Sequence, residues 1–301
     1  MTIKTHNPHT TTLLGFICMV LIWGSFPVVA KIGVENAPPL MLSSIRFLLA
    51  GGVMAIAASL QRKRMWIKLR QHWQIFIVSL FMVGIPSCVF FAAAPYASIG
   101  VLTLMWATSP IFTSICNVGG TGEVRGWRLL VSLVIGAIGI LVVLTGGIPF
   151  LTGTFVFASR GSALIAELAV LASAAVYGFG MWLAKRNNND VPVTVFTGWQ
   201  VFYTGVFVGI ISLFVERGQV FHVTLTTASV LLYLVIFCSC ISFFLTFWLI
   251  RRIGAIRTSY SDFIIPGVTL LLSYLFLGES LTLAKVGGFV LVMVGCVLVE
   301  M

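Results

Sequence analysis

Ten long runs of apolar residues, separated by short polar segments, make up most of the chain. Each run is close to the roughly 20 residues that a helix needs to cross a bilayer. The runs are continuous and lack the alternation of transmembrane β-strands, so the pattern predicts an all-α integral membrane protein with ten transmembrane helices. Their approximate bounds are 11–33, 38–60, 75–97, 99–118, 127–146, 162–184, 192–215, 226–249, 255–277 and 280–300.

The composition supports this prediction and leaves no room for a large soluble domain. Of the 301 residues, 59% are hydrophobic and 9% are charged, whereas soluble domains carry roughly 25% charged residues. Ten spans would use about 200 positions, so only short loops remain. The six cysteines lie in apolar runs without the spacing of a zinc site, and we interpret them as packing residues.

The distribution of positive charge predicts the orientation of the chain. The net charge of +10 occurs in short clusters between apolar runs, which is typical of membrane loops and does not indicate a nucleic-acid partner. If both termini are cytoplasmic, 13 of the 18 basic residues fall on the inner side: Lys4, Arg62, Lys63, Arg64, Lys68, Arg70, Arg125, Arg128, Lys185, Arg186, Arg251, Arg252 and Arg257. Lys31, Arg160, Arg217 and Lys285 fall on the outer side, so both termini are expected in the cytoplasm.

The two halves of the chain carry an internal repeat. A shift of 154 residues aligns Gly24 with Gly178, Lys31 with Lys185, Pro38 with Pro192 and Gly51 with Gly205; a shift of 156 aligns Pro110 with Pro266 and Gly122-Glu123 with Gly278-Glu279. Each half holds five predicted spans, an odd number, so the second half would enter the membrane from the opposite side. Inverted repeats of this kind are a transporter architecture with a binding site between the halves. The predicted division is a tail (1–10), a first repeat (11–146), a linker (147–161) and a second repeat (162–301).

Several motifs resemble those of a known family. The first half contains Ile22-Trp23-Gly24-Ser25, Lys31-Ile32-Gly33-Val34-Glu35, Pro38-Pro39-Leu40-Met41, Arg46-Phe47 and Ala50-Gly51, and the second contains Pro266 followed by Phe276-Leu277-Gly278-Glu279. Over the whole chain they resemble the EamA-type transporters of the drug/metabolite transporter superfamily. The resemblance implies ten spans, export of small metabolites such as amino acids from a central cavity, and a bacterial or archaeal inner membrane. Asp262 departs from the family, which usually carries an apolar or uncharged polar residue there.

Arg46 is a charged residue within the second predicted span. A charge at this depth costs about 2.5–3.5 kcal/mol on insertion scales, so it normally faces a cavity or a partner. Arg46 either binds an anionic group of a substrate or pairs with a carboxylate or helix-end carbonyls. Its repeat mate is Gln200, which retains hydrogen bonding without the charge.

Asp262 and its repeat mate Trp106 each stand four residues before a proline. Pro266 and Pro110 have no N–H to bond the carbonyl of Asp262 or Trp106. A carboxylate and an aromatic ring at equivalent points would suit an amine-bearing substrate. Asp262 either faces the cavity, where it contacts such an amine or a coupling proton, or bonds Thr258 or Ser259 one turn back.

Other candidate residues are aromatic or acidic. Trp23 and Tyr177 are candidate substrate contacts because they precede the matched Gly24 and Gly178, and Tyr96 is a further aromatic candidate. Glu167 either gates the exit or transfers protons, or it reaches the membrane interface. Glu123 and Glu279 follow glycines at the starts of spans, where carboxylates cap helices.

The sequence therefore favours a secondary carrier of small metabolites. It contains no ATP-binding loop of the form G-x-x-x-x-G-K-[ST], no nucleophile–base set and no metal cluster, so no cofactor is predicted. An importer or exchanger is the main alternative, and an integral-membrane enzyme would require a polar catalytic cluster. Gly205-x-x-x-Gly209 predicts a close helix contact, either inside the chain or in a homodimer.

Overall fold

Helices form nearly all of the chain that the structure describes. The computed structural model describes residues 8–63, 65–117, 126–145, 159, 161–186, 191–253, 258 and 261–300. The first half contains α1 (Pro8–Val34), α2 (Pro39–Leu60), α3 (Leu69–Ser79), a π-helical segment π1 (Leu80–Gly84), α4 (Ile85–Ala93), α5 (Ile99–Trp106), α6 (Ser109–Asn117) and α7 (Gly126–Thr145). The second half contains α8 (Ser162–Arg186), α9 (Val193–Val215), α10 (Leu225–Tyr233), a π-helical segment π2 (Leu234–Ile241), α11 (Ser242–Ile253), α12 (Ser261–Leu277) and α13 (Leu283–Glu300).

Six helical segments within the described ranges are long and apolar enough to cross a membrane. They are Thr10–Val34, Pro39–Leu60, Leu69–Ala93, Ser162–Ala184, Val193–Val215 and Leu225–Ile253. Four shorter apolar helices lie in the predicted fourth, fifth, ninth and tenth spans: Ile99–Thr113, Val134–Thr145, Ile264–Leu277 and Leu283–Gly295. The predicted all-helical membrane fold is confirmed, whereas ten spans in an inverted repeat remain a prediction.

The predicted fourth span is interrupted near its middle. α5 ends at Trp106 and α6 begins at Ser109, with the Thr108 hydroxyl donating a hydrogen bond of 2.7 Å to the Met105 carbonyl. Pro110 therefore lies in the first turn of α6, where a missing N–H costs little because no intrahelical acceptor is lost. Pro266 differs, because it lies inside α12.

Helices α2 and α9 pack at two glycines that the repeat alignment pairs. A Cβ built on Gly205 would lie 2.8 Å from the backbone nitrogen of Leu48, and one on Gly51 would lie 3.1 Å from Phe202 Cβ. Gly209 also faces α2, because its Cβ would lie 2.6 Å from the hydroxyl of Ser44. The Gly205-x-x-x-Gly209 motif is thus used for packing inside the chain.

A second set of equivalent contacts joins α1 to α12 and α8 to α6. A Cβ on Gly24 would lie 2.5 Å from Val268 Cγ1, and one on Gly178 would lie 2.9 Å from Phe112 Cβ. Thr269 also donates a hydrogen bond of 2.8 Å to the Gly24 carbonyl. These close approaches fix the helices that carry the neighbouring Trp23 and Tyr177.

Two carboxylates cap helices to which they do not belong. Glu279 accepts hydrogen bonds from the backbone N–H groups of Ile99 (2.7 Å) and Gly100 (3.1 Å), at the start of α5. Glu216 accepts them from Leu40 (2.7 Å) and Met41 (2.8 Å), at the start of α2. The predicted capping role of Glu279 therefore acts on a helix of the other half of the chain rather than on its own span. Glu123 lies outside the described residues.

Candidate functional site

A cavity lies where the two main clusters of buried apolar side chains meet. Phe26, Phe90 and Trp106 belong to one cluster, and Trp23 and Phe243 belong to the other. The cavity together with its opening to solvent spans about 980 Å³ of space outside protein atoms. Its wall is formed by α1, α2, π1, α4, α5, α8, α11 and α12. Both halves of the chain therefore build it. Its polar lining residues are Arg46, Ser87, Thr103, Thr246, Ser261 and Asp262.

Arg46 enters the cavity wall from α2 and is only 1% exposed. Its guanidinium carbon lies over three aromatic rings, 4.1 Å from the Phe47 centroid, 4.7 Å from Phe26 and 5.0 Å from Phe91. Its Nε and Nη1 atoms have no hydrogen-bond partner, and no described carboxylate lies within 4.0 Å. Cation–π contacts thus hold the charge in place and leave donors available for an anionic group.

Asp262 lies on the cavity wall in the first described turn of α12. It lines the same cavity as Tyr177. Trp106 lies on the same wall, with its ring centroid 5.1 Å from that of Tyr177. The structure therefore brings together a carboxylate and two aromatic rings. Ser259, one of the alternative partners considered for Asp262, lies outside the described residues.

Trp23 forms the part of the wall nearest to α11. Its indole N–H donates a hydrogen bond of 3.3 Å to the Thr246 hydroxyl, and its ring meets Phe243 edge-on at 5.0 Å between centroids. Because both interactions fix the ring, Trp23 presents a rigid apolar surface to the cavity.

Three of the predicted site residues lie elsewhere. Tyr96 is 60% exposed in the turn between α4 and α5. Gln200 is buried in α9, where its side-chain nitrogen lies 3.8 Å from the sulfur of Met82, a residue of the cavity wall. Gln200 itself does not line the cavity, and its buried amide oxygen has no hydrogen-bond partner among the described residues.

Glu167 is also buried and away from the cavity. It lies in α8, is 1% exposed, and accepts a hydrogen bond of 2.6 Å from the Ser159 hydroxyl. The side chain is thus buried in the protein, and its roles in gating, in proton transfer or at the membrane interface stay predictions. Its other carboxylate oxygen has no hydrogen-bond partner among the described residues.

Several cavity residues were missed from the sequence. Phe26 follows Trp23 by three positions, and Thr103 precedes Trp106 by three, so each lies on the same helical face as a predicted residue. Phe243 and Thr246 are related by the same spacing. Helical spacing from the chosen aromatics would have found the first two, but nothing in the sequence singled out α11. Among the described residues, no group of three His, Cys, Asp or Glu side chains could hold a metal ion.

Comparison with known proteins identifies the family. The model of the EamA-like transporter family matches twice, over residues 10–145 and 164–301. The chain belongs to the EamA-like transporter family. Its two matches divide the chain close to the boundary between the predicted repeats.

Relatives across this family have similar length. The chain is 24% identical to an uncharacterised transporter, YoaV, of Bacillus subtilis (strain 168), with 94% of each chain covered. It is 26% identical to Protein PecM of Dickeya dadantii (strain 3937), covering 93% of this chain and 89% of the relative. It is 29% identical to an uncharacterised inner membrane transporter, YedA, of Escherichia coli (strain K12), covering 88% and 82%.

A solved structure supports the fold independently. It is 18% identical, covers 96% of both chains and superposes with a TM-score of 0.65. The family membership and these likenesses identify a multi-pass membrane transporter of the drug/metabolite type.

Proposed function

We propose that this EamA-like protein is a secondary transporter that exports small amphipathic metabolites, such as amino acids, by alternating access. The observation that carries the proposal is the cavity in which the unpaired guanidinium of Arg46 and the carboxylate of Asp262 share an aromatic wall. A substrate with an anionic group, an amine and an apolar body would complement all three features.

The proposal includes ten spans arranged as two inverted five-helix repeats. The two family matches support this arrangement. So do the close helix contacts made at repeat-matched glycines, at Gly24 and Gly178 and at Gly51 and Gly205. The π-helical segments add a further correspondence, because Leu80 and Leu234, where they begin, are 154 residues apart. Two equivalent halves around one cavity are an arrangement that many alternating-access transporters use.

The proposed location is the inner membrane of a bacterium, with both termini in the cytoplasm. The excess of lysine and arginine in the inner segments supports this orientation, and the loop between α2 and α3 has the densest cluster. A cysteine introduced at Lys63 should react with an impermeant reagent only after the membrane has been permeabilised. Labelling by an impermeant reagent added outside intact cells would reverse this orientation.

Counterflow into proteoliposomes tests the substrate. Vesicles that contain the purified protein would be preloaded with one unlabelled compound and diluted into the labelled form, using a panel of amino acids, their decarboxylated amines and their deaminated acids. We expect apolar amino acids to exchange faster than either truncated analogue, because only they engage Arg46 and Asp262 together. Equal exchange by all three classes, or by protein-free vesicles, would refute the proposed binding mode.

Direction needs a separate experiment, because an importer or exchanger would show the same counterflow. Cells preloaded with a labelled substrate should lose the label faster when the protein is expressed. Faster accumulation from outside, without faster loss, would favour import. The Gly205-x-x-x-Gly209 motif does not support a homodimer, since α2 covers it.

A further inference from the structure

We propose that the segment from Leu60 to Trp73 is a binding site for the headgroups of anionic phospholipids, separate from the transport cavity. This segment, the basic loop, contains Arg62, Lys63, Arg64, Lys68 and Arg70. The proposal concerns neither the transported substrate nor its direction, and it holds for whichever leaflet faces the loop.

The basic loop has no acidic neighbours in sequence. No Asp or Glu occurs between Glu35 and Glu123. Lys63, Lys68 and Arg70 also have no carboxylate within 4.0 Å among the residues that the structure describes. Their positive charge is therefore not neutralised by the protein, and a juxtamembrane cluster of this size attracts anionic lipid.

The loop is held in one arrangement by contacts with the protein. The indole N–H of Trp199 donates a hydrogen bond of 2.9 Å to the Met65 carbonyl, and Thr194 donates one of 3.1 Å to the side chain of Gln61. The Gln71 side chain accepts the backbone N–H of Lys68 at 2.9 Å and so caps α3. Lys63 and Lys68 thus lie beside backbone positions with defined contacts, so binding of a lipid headgroup requires little ordering of the described part of this loop.

Side chains along this fixed stretch alternate between core and surface. Met65 and Ile67 pack against a buried cluster. Trp66 between them is 89% exposed, and the following Lys68 is exposed as well. Leu69 is 86% exposed and precedes Arg70. Tryptophan and leucine beside cations match the boundary between lipid chains and charged headgroups, where amphipathic aromatic rings are favoured.

A free phosphate or an acidic protein could be attracted to the same charges. The exposed Trp66 and Leu69 favour phospholipid, because neither competitor offers acyl chains for these side chains. The test must therefore separate headgroup charge from the presence of acyl chains.

Fluorescence quenching provides such a test on the full chain in detergent. Phosphatidylglycerol with brominated acyl chains would be titrated into the protein, and the part of the quenching that is lost in Trp66→Phe reports binding at this loop. Brominated phosphatidylcholine tests the need for negative charge, and glycerol phosphate as a competitor tests the need for acyl chains. We expect phosphatidylglycerol to bind at least about tenfold more tightly than phosphatidylcholine, and glycerol phosphate not to displace it.

A pair of charge-matched variants locates the site. Lys68→Gln/Arg70→Gln should weaken phosphatidylglycerol binding by about tenfold or more, since each basic residue near a lipid surface contributes about fivefold. Arg186→Gln/Arg252→Gln removes the same charge from two other helix ends and should change binding by less than about twofold. If the first variant does not yield monodisperse protein, Lys63→Gln/Lys68→Gln replaces it with the same expectation.

Three results would overturn the proposal. Equal binding of the two lipids would remove the role of headgroup charge. Equal weakening by both double variants would replace a site with a diffuse attraction to the whole inner surface. Displacement by glycerol phosphate would assign the loop to free phosphate compounds.

Discussion

The rings of Trp106 and Tyr177 lie 5.1 Å apart between centroids, with 53° between their planes, on the wall of the central cavity. Trp106 comes from α5 in the first half of the chain and Tyr177 from α8 in the second. Asp262 also lines this cavity. One side of the cavity is thus aromatic and acidic, whereas Arg46 on α2 supplies a positive charge.

Replacing Trp106 should weaken substrate binding more than it lowers stability. Trp106→Ala removes a ring that faces the cavity, and an aromatic contact contributes about 0.5–1.5 kcal/mol beyond area burial. We expect the apparent affinity in counterflow to fall about tenfold, with Trp106→Phe intermediate. Tyr96→Ala, an exposed aromatic away from the cavity, is the control and should leave affinity unchanged. Similar loss in both variants would remove Trp106 from the site.

Neutralising Arg46 should affect recognition of an anionic group and leave folding intact. The guanidinium has no carboxylate partner to be left unpaired, so Arg46→Gln should unfold at nearly the same temperature as the parent in detergent. Hydrogen bonds to charged groups contribute about 1.5–3 kcal/mol, so affinity for carboxylate-bearing substrates should fall at least about tenfold. Arg46→Lys should retain part of it. A variant that aggregates, with Arg46→Lys restoring the fold, would assign Arg46 a structural role.

Asp262 should determine the response to the substrate amine. Asp262→Asn keeps the size of the side chain and removes its titration, so we expect a folded protein with slower counterflow of amine-bearing compounds. Asp262→Glu should recover part of the rate, and deaminated analogues should be unaffected. If Asp262→Asn transports every substrate at the parental rate, across the pH range in which the protein is stable, the role of Asp262 is a local helix interaction.

Glu279 should stabilise the protein by capping the N-terminus of α5. Glu279→Gln exchanges a charged acceptor for a neutral one at the N–H groups of Ile99 and Gly100. We expect the free energy of unfolding to fall by about 1–3 kcal/mol, measured by thermal or denaturant unfolding in detergent. Glu35→Gln, made at an exposed carboxylate, should change it by less than about 0.5 kcal/mol. No change in Glu279→Gln would show that the negative charge of this helix cap adds nothing to stability.

Alanine at two different glycines should show that close helix packing, and not glycine content as such, determines stability. Gly205→Ala should destabilise the protein by about 1–3 kcal/mol, because the added methyl group would lie 2.8 Å from the backbone nitrogen of Leu48. Gly52→Ala adds the same group where nothing lies within 4 Å, and should be neutral or slightly stabilising. Thermal unfolding of the two variants measures the difference. Equal effects would mean that α2 and α9 do not pack closely.

The hydrophobic runs alone predicted a helical membrane protein, because few other structures satisfy the backbone hydrogen bonds of long apolar segments in lipid. The motifs and the repeat also gave the family, which the two family matches confirm. Arg46 was selected as a charge inside a span, and Trp23, Trp106, Tyr177 and Asp262 were selected by their positions beside matched glycines and prolines. All five line the cavity. Charged or aromatic residues near matched glycines and prolines were therefore informative.

Which face of each helix points towards the cavity was decided only by the tertiary structure. In a soluble protein the polar face of a helix marks its outer side, but lipid is as apolar as the protein interior, so the sequence does not distinguish the two faces. Tyr96 and Gln200, two predicted substrate contacts, therefore do not line this cavity, and Phe243, which does, was missed. The partners of Glu279 and Gly205 lie more than 150 residues away in sequence, and only the packing of the two halves brings these groups into contact.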